Sequence, residues 1–183
     1  MKMSHAKKIT ICAMCIALCY VLPMVFHAVG LGSVLSPMHI PVLLCGLICG
    51  GFYGAVCGIL GPLLSSLSGM PPLLMLTRMI PELFIYGLTA GLCMRYIRVG
   101  HSAADVYISL AIAMVAGRIA GGIASVIFFT VTTGTYSFAL WFASYFAEAV
   151  PGIVAHLVLV PALVLTLQQA KMIPARYQKA TQE

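Results

Sequence analysis

Three long apolar runs, at residues 9–35, 38–77 and 123–147, contain no Asp, Glu, Lys or Arg and limit what this chain can fold into. A helix that crosses the hydrocarbon core of a bilayer, about 30 Å thick, needs about 20 apolar residues. Over all 183 residues, 62% are hydrophobic and only 8% are charged, a balance far from that of soluble proteins. We therefore predict an all-α integral membrane protein with one membrane domain over residues 1–183.

The basic residues predict how often the chain crosses the membrane. Most of them fall in three tracts: the N-terminus (Lys2, Lys7, Lys8), the segment 95–101 (Arg95, Arg98) and the C-terminal tail (Lys171, Arg176, Lys179). Short segments rich in Lys and Arg stay cytoplasmic, so an even number of spans separates each pair of tracts. We predict a multi-pass plasma-membrane protein with both termini cytoplasmic. Its six transmembrane helices are expected at about 9–29, 38–50, 52–69, 77–95, 104–132 and 138–169. The net charge of +6 is attributed to this orientation rather than to nucleic-acid binding.

The second apolar run is rich in glycine, at positions 46, 50, 51, 54, 58, 61 and 69. Glycine weakens an isolated helix by roughly 1 kcal/mol against alanine, but it lets helix backbones approach closely. We predict a tight turn at Gly50–Gly51 between two short, closely packed helices. Each would have about 15 residues, or about 23 Å of helix, which is less than a full bilayer crossing.

Away from the ends of the predicted spans, four charged residues remain where lipid should be: Arg78, Glu82, Arg118 and Glu148. Charges at this depth cost about 2.5–3.5 kcal/mol and are usually paired or functional. Arg78 and Glu82 are one helical turn apart and are predicted to be able to pair directly.

The sixth predicted span carries one polar and aromatic face, formed by Trp141, Tyr145, Glu148, Gly152 and His156. Two interpretations remain open. This face lines a substrate cavity, or Glu148 neutralises Arg118 as a structural pair and the aromatic residues pack around it. For His156 we expect a hydrogen-bonded core histidine rather than a ligand contact.

The loop before the second span offers further candidate site residues. Pro37 and Pro41 are expected to hold the chain extended, because proline disfavours helix in the residue before it. Met38 and His39 would then be presented at the outer mouth of a pocket.

Several kinds of chemistry are not expected. The sequence contains no G-x-x-x-x-G-K-[ST], H-E-x-x-H or G-x-S-x-G motif, and we predict neither an enzyme nor a metal or cofactor site. Its seven cysteines are expected to fill space inside the spans. A small intramembrane enzyme using Glu148 and His156 is the weaker alternative, because about 12 Å of helix separates the two residues.

Four segments make the sequence resemble the substrate-specific S component of energy-coupling factor (ECF) vitamin transporters, nearest the pantothenate-type branch. They are A-M-C-I-A at 13–17, S-P-M-H-I-P-V-L-L-C-G-L-I-C-G-G-F-Y-G-A-V-C-G at 36–58, and G-P-L-L-S-S at 61–66 with G-M-P-P-L at 69–73. The resemblance implies a six-helix bundle that binds its vitamin near the outer face and topples in the membrane. A transmembrane coupling subunit and two cytoplasmic ATPase subunits would drive release.

The resemblance also assigns roles to particular residues. Ala13 and Ala17 would contact the coupling subunit, and the loop 33–39 would gate the pocket. The chain has no asparagine, although amide side chains commonly recognise vitamins in this family, so other polar groups would take that role.

We predict a substrate-binding subunit for a water-soluble vitamin, with a pantothenate-like carboxylate favoured. The alternative is a self-sufficient carrier coupled to protons through Glu82 or Glu148. The candidate substrate-binding residues are Met38, His39, Arg78, Glu82, Arg118, Trp141, Tyr145 and Glu148.

Overall fold

A computed structural model of the protein describes residues 3–28, 30, 32, 36–67, 69, 71–132, 143 and 149–174. Six helices follow one another in these residues. They are α1 (His5–Ala28), α2 (His39–Cys49), α3 (Gly51–Ser66), α4 (Leu73–Tyr96), α5 (Ser102–Thr132) and α6 (Val150–Gln169). Each helix overlaps one of the predicted spans, and the beginning of the sixth span, before residue 149, lies largely outside the described residues; that all six cross the membrane stays a prediction.

The glycine-rich region folds back on itself at the predicted place. Gly50 separates α2 from α3 with a φ of +101°, a left-handed conformation that glycine adopts readily. The two helices are short, with 11 residues in α2 and 16 in α3, or about 16 and 24 Å of helix. The predicted turn is confirmed, and α2 is shorter than expected.

The start of α2 differs from the prediction. Residues 36–39 form a turn in which the His39 N–H donates to the Ser36 carbonyl oxygen at 3.1 Å, and Met38 already has helical backbone angles. Pro41 lies in the first turn of α2, where its missing N–H has no intrahelical acceptor to lose. The expectation that Pro37 and Pro41 keep this segment extended is therefore wrong.

Glycines bring α2, α3 and α4 into backbone contact. A Cβ atom on Gly87 of α4 would lie 2.1 Å from the carbonyl oxygen of Gly54 in α3, and one on Gly46 of α2 would lie 2.5 Å from the oxygen of Gly87. Further along, a Cβ on Gly91 would lie 2.0 Å from the Gly51 nitrogen. No side chain fits at these points, which explains why the sequence accepts so many glycines in helices.

Cysteines fill the space where α1 meets α2 and α3. Six of them are buried in one apolar cluster: Cys12, Cys15, Cys19, Cys45, Cys49 and Cys57. Three of these thiols also donate weak hydrogen bonds to carbonyl oxygens of other segments. They are Cys12 to Tyr53 at 3.6 Å, Cys19 to Met38 at 3.8 Å and Cys49 to Lys8 at 3.7 Å. Small buried thiols thus pack and cross-connect these helices.

The described parts of the three basic tracts come together at one end of the bundle. The Lys7 ammonium donates to the Met172 carbonyl oxygen just beyond α6, and the Ser102 hydroxyl donates to the Gln168 side-chain oxygen at 2.7 Å. The buried carboxylate of Asp105 accepts the Val99 N–H at 2.8 Å and fixes the segment between α4 and α5 at this end. A common cytoplasmic side for the tracts requires this arrangement, and their orientation in the membrane stays a prediction.

Three helices of the described residues are long and apolar enough to cross a membrane: His5–Ala28, Ser102–Val131 and Val150–Gln169. The two glycine-linked helices are apolar but shorter. Helix α4 has 24 residues and carries Arg78, Glu82 and Arg95. This charged helix contributes residues to the candidate site.

Candidate functional site

A cluster of buried polar side chains lies in the bundle, away from the end that carries the basic tracts. Four helices contribute to it: His39 from the first turn of α2, Glu82 and Tyr86 from α4, Arg118 from α5 and His156 from α6. All five side chains are buried, with at most 8% of each residue exposed. Their burial is notable because charged groups are rarely enclosed without a partner or a function.

His39 is at the centre of this buried polar cluster. Its Nε2 atom lies 3.5 Å from Glu82 Oε1, and its Nδ1 atom lies 3.1 Å from the Ser36 carbonyl oxygen. The first turn of α2 places the ring there. The Ser36 carbonyl oxygen accepts the backbone N–H of His39 and also lies within hydrogen-bond distance of its Nδ1 atom. The start of α2 is thus connected directly to a carboxylate on α4.

Two further rings face His39. The Tyr86 ring meets it edge to face, with centroids 5.1 Å apart and an interplanar angle of 74°, and the His156 ring lies 5.5 Å away at 31°. The His156 Nε2 atom is buried and has no hydrogen-bond partner among the described residues. A buried polar atom left unpaired costs about 1–3 kcal/mol, so a ligand that pairs with it would recover free energy.

Arg118 joins the cluster because a glycine precedes it. A Cβ on Gly117 would lie 2.7 Å from the Tyr86 ring, so only glycine lets α5 approach α4 this closely. Arg118 is 6% exposed and lies within electrostatic range of His156. The buried polar cluster therefore combines a guanidinium, a carboxylate, two imidazoles and a phenol.

The structure brings together only some of the predicted site residues. His39, Glu82 and Arg118 share the cluster, whereas Met38 is buried in the apolar core next to it. Arg78 lies half-buried one turn before Glu82 on α4. Trp141, Tyr145 and Glu148 fall outside the described residues, so their roles, and the pairing of Glu148 with Arg118, stay predictions.

The predicted direct pair of Arg78 with Glu82 is wrong. In the part of the chain that the structure describes, the Glu82 carboxylate instead lies against His39, with Oε1 3.5 Å from the imidazole Nε2 atom. Helical spacing made the Arg78 pair possible, but the start of α2 offers Glu82 a nearer partner. That partner belongs to another helix, and spacing along α4 could not reveal it.

Two members of the cluster were not among the predicted site residues. His156 is buried, as expected of a core histidine, and its ring also faces His39, with an Nε2 atom that has no hydrogen-bond partner within the described ranges. Its place on the polar face of the sixth span was the available signal. Tyr86 follows Glu82 by four residues and so lies on the same helix face, a signal that went unused.

Such a cluster can bind a small polar or ionic molecule through several charge-assisted hydrogen bonds. Among the described residues, no group of three or more His, Cys, Asp or Glu side chains is placed to hold a metal ion.

A separate feature lies on the outside of the bundle. Ala13 and Ala17 are exposed on α1 and line a groove of about 550 Å³ whose far wall includes Leu64 and Leu67. Small residues leave room for a helix backbone to approach, so this α1 groove has the form of a helix docking surface.

Comparison with protein families gives one match: the model of the ECF transporter substrate-specific component matches residues 7–164. Comparisons with curated proteins and with solved structures give no significant match. The family match covers most of the chain, from the start of α1 into α6. Proteins of this family are not enzymes; they bind small-molecule substrates and work with an ECF module. The chain is therefore a multi-pass plasma-membrane protein that belongs to the ECF transporter substrate-specific component family, the substrate-binding part of an ECF importer.

Proposed function

We propose that the buried polar cluster is the substrate site and that it holds a water-soluble, carboxylate-bearing vitamin of the pantothenate type. The observation that carries this proposal is the convergence of polar side chains from α2, α4, α5 and α6 on one buried place. A bundle that needed only apolar packing would not enclose these groups, because each is costly to bury.

The chemistry of the cluster favours an anionic, hydroxylated ligand. Arg118 would hold the carboxylate through charge-assisted hydrogen bonds, with the half-buried Arg78 available nearer the outer end of α4. Glu82 can accept a hydrogen bond from a ligand hydroxyl or amide, and His156 Nε2 is open to a partner. Pantothenate carries a carboxylate, an amide and two hydroxyl groups, which match these side chains.

Entry would be controlled by the segment before α2. His39 is the first residue of that helix, and it connects the 33–39 loop to Glu82. Movement of this loop would pull the imidazole away from the carboxylate and open the cluster. We therefore assign gating to residues 33–39 and place the outer face of the membrane at this end.

Transport would then need partners. In this proposal the chain crosses the membrane six times with both termini cytoplasmic. The coupling subunit docks on the α1 groove through Ala13 and Ala17, and two ATPase subunits power the toppling that releases the vitamin. The exposure of both alanines beside a groove supports this docking site.

Calorimetry with pantothenate on the purified protein tests the site. Arg118→Ala should weaken binding at least about tenfold, since one lost charge-assisted hydrogen bond is worth about 1.5–3 kcal/mol. Arg98→Ala removes an exposed arginine outside the cluster and should leave affinity unchanged. Equal affinity for the wild type and Arg118→Ala, with both proteins monodisperse, would remove Arg118 from the site.

A further inference from the structure

A second groove, larger than the α1 groove, opens at the end of the bundle that carries the basic tracts. Its volume is about 960 Å³, and it lies between the Gly50–Gly51 turn, α3 and the second half of α4. Neither the buried polar cluster nor Ala13 and Ala17 contribute to its lining. We refer to it as the basic-end groove.

Most of the wall of this groove is apolar. Leu47, Val56, Ile59, Phe84 and Leu88 line it along the direction of α3 and α4. These helices belong to the membrane-embedded body of the protein, so a hydrocarbon chain can lie against this wall without losing contact with apolar surroundings.

Two basic side chains contribute to the wall of this groove. Lys8 and Arg95 both line the groove, one from the start of α1 and the other from the last turn of α4. Each cation lies 5.8 Å from the centroid of an aromatic ring, Lys8 from Tyr53 and Arg95 from Tyr96. Aromatic rings and basic side chains together are typical of the level of the lipid headgroups.

Cations above an apolar wall match an amphiphile with an anionic head. Basic pockets between transmembrane helices on the cytoplasmic side bind acidic lipid headgroups. We propose that the basic-end groove is a binding site for one anionic phospholipid, whose phosphate contacts Lys8 and Arg95 and whose acyl chain lies along Val56 and Leu88. The site is independent of the substrate cluster and of the vitamin assigned to it.

The contacts also suggest a consequence for the fold. The groove touches α1, the α2–α3 turn and α4, three of the elements at this end of the bundle. A lipid that contacts all three fills a gap that no side chain of the described residues closes. Its binding should therefore stabilise the bundle, because a ligand that binds only the folded state shifts unfolding by mass action.

Native mass spectrometry of the purified chain tests the site, with dioleoylphosphatidylglycerol and dioleoylphosphatidylcholine as probes at equal concentration. We expect one bound phosphatidylglycerol in preference to phosphatidylcholine. The double variant Lys8→Gln/Arg95→Gln should weaken phosphatidylglycerol binding at least about tenfold, since each basic residue near the surface contributes about 1 kcal/mol. The matched control Arg98→Gln/Lys171→Gln removes two exposed charges outside the groove lining and should bind like the wild type.

A second variant tests the apolar wall. Val56→Trp fills the groove without changing charge, and it should also weaken phosphatidylglycerol binding, whereas a site for the headgroup alone would be unaffected. Equal binding of both lipids, or equal loss in both double variants, would overturn the proposal. A Lys8→Gln/Arg95→Gln protein that keeps its lipid but no longer co-purifies with the coupling subunit would assign the groove to that protein instead.

Discussion

The contact between α3 and α4 gives the most exacting test of the fold. Gly87→Ala adds one methyl group at a point where its carbon would lie 2.1 Å from the Gly54 carbonyl oxygen and 2.3 Å from the Gly54 carbonyl carbon. Both neighbours are backbone atoms in a helix, so no side chain can rotate away. The two helices must separate by about 1 Å to restore an ordinary contact.

The expected loss of stability follows from two opposing effects. Alanine is a better helix former than glycine by about 1 kcal/mol, which stabilises α4. Forced overpacking in a filled interior costs about 1–3 kcal/mol and sometimes more. Here separation of α3 from α4 also disturbs the neighbouring contacts of Gly46 and Gly91, so the cost should be at or above the upper end of that range. We expect a net loss of about 2 kcal/mol, or about 4–8 °C in Tm for a chain of this length.

The buried cysteines provide the assay. Six thiols are enclosed in the folded bundle, so a maleimide dye that fluoresces on reaction with thiols reports unfolding in detergent. Thr89→Ala is a matched control two residues away, because its hydroxyl bonds within its own helix, to the Ile85 carbonyl oxygen. That control should change Tm by no more than about 2 °C.

The Tm of Gly87→Ala can also contradict the proposed backbone contact between α3 and α4. If Gly87→Ala melts at or above the temperature of the wild type, the helix-propensity gain is the only effect of the added methyl group. Helices α3 and α4 would then not be in backbone contact at Gly54, and the account of the glycine pattern would fail.

Three further predictions concern the gate, the partner surface and the turn. His39→Ala removes the partner of Glu82; it should weaken pantothenate binding in calorimetry at least about fivefold, and unchanged affinity would exclude His39 from the site. Ala13→Trp blocks the α1 groove and should abolish co-purification with the coupling subunit while pantothenate still binds, whereas Met14→Trp, at an exposed neighbour outside that groove, should retain the complex. Gly50→Ala meets no atom within 4 Å but must adopt a φ of +101°, so we expect a loss of about 1–2 kcal/mol and a Tm lower by a few degrees in the thiol assay. A Tm equal to that of the wild type would show that the turn changes conformation freely.

Helix positions were predictable from the sequence because they depend on local composition. Apolar runs with few charges specify helices, and the Gly50–Gly51 pair marks the turn because a left-handed conformation suits glycine. Glycine spacing also indicated close packing. Which glycine meets which was not readable, since the contact of Gly54 with Gly87 depends on how α3 crosses α4.

The site was harder to predict because its contacts join distant parts of the chain. Spacing along one helix suggested an Arg78–Glu82 pair, but Glu82 pairs with His39, 43 positions earlier in the sequence. His156 was assigned to the core because it lies deeper toward the cytoplasmic end of the sixth predicted span. Its place beside His39 follows from the packing of α2 on α6, which periodicity does not encode.

The extended conformation predicted for the segment around Pro37 and Pro41 was wrong for a related reason. A proline disfavours helix in the residue before it, but the first turn of a helix tolerates proline because its N–H has no acceptor there. Pro41 occupies that position, and Met38 already adopts helical angles. Whether a proline precedes or begins a helix depends on where the helix starts. That start is fixed here by the Ser36–His39 hydrogen bond.

The most direct test of the substrate site is the amount of small molecule that accompanies the protein from its native host. Mass spectrometry of the denatured protein should detect one carboxylate-bearing compound, near one per chain, with the wild type and with Arg98→Ala. The variant Glu82→Gln/Arg118→Ala, which removes both charged groups of opposite sign from the buried polar cluster, should carry less than about a tenth of that amount. Equal amounts of the compound in all three proteins would contradict the assignment of the cluster as the substrate site.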